Sequence, residues 1–121
     1  MQNTVITDPG DFVSVQLIGA QDFGSIKETA VAALPLIDQL RTSGKAVKVL
    51  IDISEQTAAT PDSNQMSLKV LDTIPYDKMA IYGGTKTLND ITNGIIAASG
   101  KAETTQVFET REDAVSWLLA P

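Results

Sequence analysis

Val49-Leu50-Ile51 are three apolar residues in a row, flanked by Val47 and Ile53. A strand sends successive side chains to opposite faces of its sheet, so this run demands a sheet covered on both sides. The rest of the chain supplies the covers. Apolar residues recur at helical spacing at Ile26, Ala30, Ala33, Leu34, Ile37 and Leu40, and again at Met66, Val70, Leu71 and Ile74. Two further stripes are Ile91, Ile95, Ile96 and Ala114, Val115, Leu118, Leu119. Between them lie strand-like runs: Val13–Ile18, preceded by Thr4-Val5-Ile6 and the turn Asp8-Pro9-Gly10-Asp11, then Ala46–Ile53, Lys78–Tyr82 and Thr105–Phe108. The predicted order is β-β-α-β-α-β-α-β-α, an α/β chain with an N-terminal hairpin on a mixed, largely parallel sheet. At 121 residues and 43% apolar, residues 1–121 make one domain able to bury its own core.

Local signals set the boundaries. Asp22 or Ser25 caps the first helix, Gly44 ends it, and Pro35 inside it is expected to kink or split it by removing a backbone donor. Thr60-Pro61-Asp62-Ser63 reads as an N-cap, a proline at the first helical position and an acid in the first turn; Pro75 stops that helix. The third helix runs from about Leu88 to Ser99 and closes at Gly100, and Thr110 with Asp113 opens the last. Ser54–Thr60 is expected to be a small polar loop, with Ala58-Ala59 letting it move as a lid.

Composition removes whole classes of function. The chain has no histidine and no cysteine, so imidazole-based triads, thiolate nucleophiles and thiolate or imidazole metal sites are excluded, and no catalytic residue, metal or cofactor is expected. A formal charge of -6 with nine scattered Lys and Arg repels phosphate backbones, which argues against nucleic acid. No apolar run approaches the roughly 20 residues of a spanning helix, and the start Met1-Gln2-Asn3-Thr4 lacks a signal peptide's pattern. The expectation is a cytoplasmic protein with no integral membrane association.

Three stretches resemble the SpoIIAA-like family of STAS domains: Val49-Leu50-Ile51-Asp52-Ile53, Tyr76-Asp77-Lys78-Met79-Ala80-Ile81-Tyr82-Gly83, and the closing Val107-Phe108 through Ala114-Val115-Ser116-Trp117-Leu118. The resemblance spans nearly the whole chain. It implies a sheet with helices packed mainly on one side and a role without chemistry, as a protein-interaction or regulatory domain. It also implies a serine at the start of the second helix that a partner kinase phosphorylates. Asp62-Ser63 stands at that place, making Ser63 the candidate phospho-acceptor, but Asn64-Gln65 replaces the hydroxyl residue and glycine of the motif, which is therefore degenerate. The plainer reading of Thr60, Asp62 and Ser63 is a helix cap.

The remaining candidates gather at the carboxyl ends of the strands, where ligands of such sheets bind. Asp52 ends the central strand with Glu55 beyond it, two carboxylates with no base or nucleophile beside them. Gly83-Gly84-Thr85-Lys86-Thr87 joins a strand to a helix, a position where backbone N–H groups can cradle an anion, although the spacing is not a phosphate-loop motif and plain turn geometry accounts for it. The partner surface is thus expected to include Asp52, Thr60, Asp62, Ser63, Gly83, Gly84, Thr85 and Lys86, facing a protein partner or a small anionic ligand. The alternative is a carrier of small apolar ligands or lipids, matching the likeness of the family to CRAL-TRIO carriers, with a cavity between sheet and helices lined by Met66, Val70 and Ile95. An exposed hairpin edge would allow a homodimer. Trp117 and Phe108 are expected to pack in the core rather than to form a stacking platform.

Overall fold

The computed structural model describes residues 3–8 and 12–120. The chain runs β1 (Thr4–Asp8), β2 (Phe12–Gln21), α1 (Phe23–Thr42), β3 (Lys48–Ala59), α2 (Pro61–Thr73), β4 (Lys78–Tyr82), α3 (Lys86–Ser99), β5 (Thr105–Phe108) and α4 (Arg111–Leu119). This is the expected order. The hairpin turn residues Pro9, Gly10 and Asp11 lie outside the described residues.

Five strands form one sheet in the order β1-β2-β3-β4-β5. β1 pairs antiparallel with β2, and every later pairing is parallel. Each parallel step needs a crossover, and α1, α2 and α3 supply the three. Alternation along β3 then does what its apolar run demanded. Val49 packs with α1, α2 and α3, through Ala33, Ile37, Leu71, Leu88 and Ile96. Leu50 points the other way, onto Ala114 and Leu118 of α4. Three helices cover one face and one helix the other.

The caps form as their residue types require. The Asp22 carboxylate accepts the Ser25 N–H at 2.8 Å while the Ser25 hydroxyl accepts the Asp22 N–H at 2.9 Å, a reciprocal capping box. Thr60, Thr85 and Thr110 each accept a backbone N–H three residues on.

Four expectations need correction. Pro35 does not split α1, which runs as one helix over Phe23–Thr42. The carbonyl that loses its bond is that of Val31, a residue 57% exposed, so water can take the missing donor's place. The segment Ser54–Ala59 is strand rather than a lid loop: Glu55 pairs with Ile18 and Ala59 with Gln21, after two register shifts that absorb extra β3 residues, one of them beside Gly19 at φ 77. α3 begins at Lys86, two residues before Leu88, because Thr85 is its cap. Leu119 is 49% exposed, leaving Ala114 and Leu118 as the buried stripe of α4.

Candidate functional site

Along the carboxyl edge of the parallel strands, the ends of β2 and β3 carry the first turn of α2, and β4, which ends opposite Asp52 of β3, carries the β4–α3 connection. Asp52 is the register partner of Tyr82, the last residue of β4. Gly83 turns the chain there at φ 90, a backbone region that disfavours any side chain, and a Cβ on it would lie 2.9 Å from the Cβ of Ser54. A Cβ on Gly84 would lie 2.5 Å from Ile53 Cδ1 and 2.6 Å from Asn89 Oδ1. Gly83 is therefore required by the close approach of this turn to the backbone of β3, whereas a side chain at Gly84 would displace the ends of Ile53 and Asn89. From the other side, the Thr60 N–H donates to the Gln21 carbonyl at 3.1 Å, fixing the start of α2 to the end of β2.

Gln21 makes that junction rigid, and no local pattern in the sequence marks it. It is 1% exposed, and its amide is fully engaged: the nitrogen donates to the Ile18 carbonyl (2.9 Å) and Asn3 Oδ1 (3.1 Å), and the oxygen accepts from Asn3 (2.8 Å) and Ser25 (3.0 Å). A buried polar side chain satisfied on every side holds one arrangement.

On this frame the predicted residues fall into three groups. Thr60 and Asp62 are exposed, with the Thr60 hydroxyl donating to the Asp62 carboxylate. Thr85 and Lys86 are exposed at the start of α3, where Lys86 Nζ pairs with Asp90 at 3.0 Å. Ser63 is different. It is 1% exposed, and its hydroxyl donates to the Thr60 carbonyl at 2.7 Å, on the inner side of the first turn of α2. A phosphoryl donor reaches that oxygen only if this turn opens.

The third group is half-buried at the centre of the edge. Asp52 Oδ1 accepts the Ser54 N–H at 2.8 Å. The Asp52 carboxylate and the Arg111 guanidinium both act on the Tyr82 hydroxyl. Burial first, and the Asp52 carboxylate second, hold the Tyr82 phenol above its ordinary 10.0, against the opposing pull of Arg111. Tyr82 therefore stays protonated as a donor and is no base. No local sequence signal joins Tyr82 to Arg111, which are 29 residues apart and meet only through the β4–β5 register and the start of α4. No His or Cys exists, and among the described residues no three Asp or Glu are grouped to hold a metal ion.

Behind the edge, between the sheet and α1, α2 and α3, lies a cavity of about 140 Å³ partly open to solvent. Val70 and Ile95 line it, and Met66 does not. The lining stripe of α2 runs through Ser63, Ser67, Val70, Leu71 and Ile74, and Met66 falls about 40° beyond the Val70 side of it. Ser63, Asn64 and Ser67 bring the polar end of α2 to the cavity.

The architecture matches known structures. An uncharacterized protein of the DUF3478 family with a SpoIIAA-like fold, from Shewanella loihica, superposes with a TM-score of 0.62 at 19% identity, over 96% of this chain and 91% of that one. The anti-sigma factor antagonist SpoIIAA in its unphosphorylated form gives 0.64 at 10% identity, over 98% and 99%. The Bacillus cell fate determinant SpoIIAA in its phosphorylated form gives 0.59 at 12%, over 95% and 97%. The fold is SpoIIAA-like. No family model and no curated protein matches the sequence. At these identities the SpoIIAA-like architecture is what is shared. Among the described residues, no helix is long and apolar enough to cross a membrane.

Proposed function

We propose that this SpoIIAA-like chain is a non-enzymatic, cytoplasmic regulatory domain that binds a protein partner through the edge described above. The observation that carries this reading is the construction of that edge. Exposed Thr60 and Asp62 are held by a satisfied cap and anchored to the end of β2 through Gln21. A surface made rigid in this way loses little conformational freedom on docking. The solved anti-sigma factor antagonist SpoIIAA, of the same fold, supports a partner of that regulatory kind. The lack of histidine and cysteine removes imidazole and thiolate chemistry, which favours a role in binding. With its hydroxyl turned inward, Ser63 serves as part of the helix start in this reading, and phosphate transfer to it is not required.

Charge reversal at the exposed edge is the test. Affinity capture with the wild type, Asp62→Arg and, as a control on α1 far along the chain, Asp38→Arg should give one partner bound by the first and third and lost at least about tenfold by the second. Equal binding by Asp62→Arg overturns the assignment of this edge. A second reading, a carrier of small apolar molecules, is favoured by the cavity and is checked by native mass spectrometry of the purified chain, where a co-purified ligand mass would be retained.

A further inference from the structure

The first turn of α2 belongs to two surfaces at once. Its outer side carries Thr60 and Asp62 at the edge; its inner side carries Ser63 and Asn64, which line the cavity together with Ser67 one turn on. Whatever fills the cavity therefore touches the same turn that the edge presents.

The chemistry of the cavity restricts the occupant. Among the described residues no Asp, Glu, Lys or Arg lines it, and its walls are Val, Ile, Leu, Met and Ala with uncharged polar groups from α2 and from Thr29, Gln56 and Thr92. An ionised ligand would enter with no counter-charge, which burial disfavours strongly. The volume of about 140 Å³ is close to that of an engineered apolar cavity of about 150 Å³ that takes up benzene or xenon. A full lipid chain is too large for it, and a compact molecule of benzene size fits.

We infer that the cavity is a binding site for a small, uncharged, largely apolar molecule, and that its occupancy tightens the first turn of α2 and so tunes the partner edge. The site itself stands on the cavity alone; the tuning rests on the proposed partner function. The amides that report it are those of Ser63 and Asn64, which donate to the Thr60 hydroxyl at 3.2 Å and the Thr60 carbonyl at 3.1 Å. A ligand packed beneath them stabilises that turn relative to its opened form, slowing exchange of these hydrogens.

The test uses the full chain with benzene, 1-hexanol and hexanoate as probes. At roughly ten times its Kd, 1-hexanol should raise Tm by about 4 °C and slow exchange at Ser63 and Asn64 about threefold or more. Benzene should compete with it, and hexanoate, of the same length but charged, should bind at least about tenfold more weakly. Ala30→Leu and Ser67→Leu, which fill the cavity from α1 and from α2, should each abolish the response; two variants guard against one that fails to fold. Equal binding of hexanoate, no saturable binding of either neutral probe, or an undiminished response in both folded variants overturns the site. Binding that leaves Ser63 and Asn64 unchanged overturns the tuning. No partner enters these readouts, so a chain that binds 1-hexanol yet shows no edge-dependent partner breaks the proposed function and keeps the site.

Discussion

The two faces of this sheet are packed in opposite ways. Under α4, Phe12, Leu50, Ala80, Ala114 and Leu118 are all between 0% and 3% exposed, with Phe108 and Trp117 closing the rim at a ring separation of 5.6 Å. Lys78 completes that side, its Nζ 4.7 Å from the centre of the Trp117 ring and donating to the Trp117 carbonyl at 2.8 Å. Under α1, α2 and α3 the core is larger but hollow, because Ala30, Ala33, Ser63 and Ser67 meet where bulkier side chains would have filled the space. Small residues thus have opposite effects. Beneath a single helix, alanines let α4 sit directly on the sheet; beneath three helices spaced by their crossovers, they leave a cavity.

This contrast can be broken by mutation. Leu118→Ala, on the filled face, should cost about 3 kcal/mol in urea unfolding, since nothing nearby can collapse into the hole. Ala114→Leu on the same face should cost about 2 kcal/mol by overpacking, whereas Ala30→Leu at the cavity should leave stability unchanged or raise it by up to about 1 kcal/mol. Equal losses from the two alanine enlargements would show that the faces are packed alike. Thr60→Ala removes the cap that holds the edge and should lower stability by about 1 kcal/mol while weakening protection at Ser63.

The smallest effect is expected from Tyr82. Its phenol is raised in the folded state, so the folded chain keeps this proton above pH 10, where the unfolded chain loses it. The stabilisation this provides is fully present below the unfolded value near 10 and is lost as pH rises through the folded one. The stability difference between wild type and Tyr82→Phe should therefore shrink as urea melts are taken from pH 9 upward through that range. A difference that holds constant or grows would place the hydroxyl outside the Asp52 field.

Local chemistry made much of the fold legible. The consecutive apolar residues at Val49-Leu50-Ile51, the caps at Asp22, Thr60 and Thr110, and the glycine at Gly100 each report on their own few residues, and each element stands where they place it. The exposed part of the edge, Thr60 and Asp62, could be read for the same reason. What could not be read depends on partners distant in the chain. Ser54–Ala59 carries no apolar alternation and is a strand only because β2 continues beside it; Pro35 is tolerated only because its turn faces water.

The sequence alone, then, determined the order of elements, the two-sided burial of β3 and the exclusion of imidazole and thiol chemistry, because periodicity, capping and composition act within a few residues or over the whole chain at once. Only the tertiary structure decided that Ser63 faces inward, that Met66 misses the cavity, that Tyr82 stands between Asp52 and Arg111, and that a cavity exists at all. Those facts are set by how far apart packed helices and paired strands come to rest, and no single segment carries that distance in its own residues.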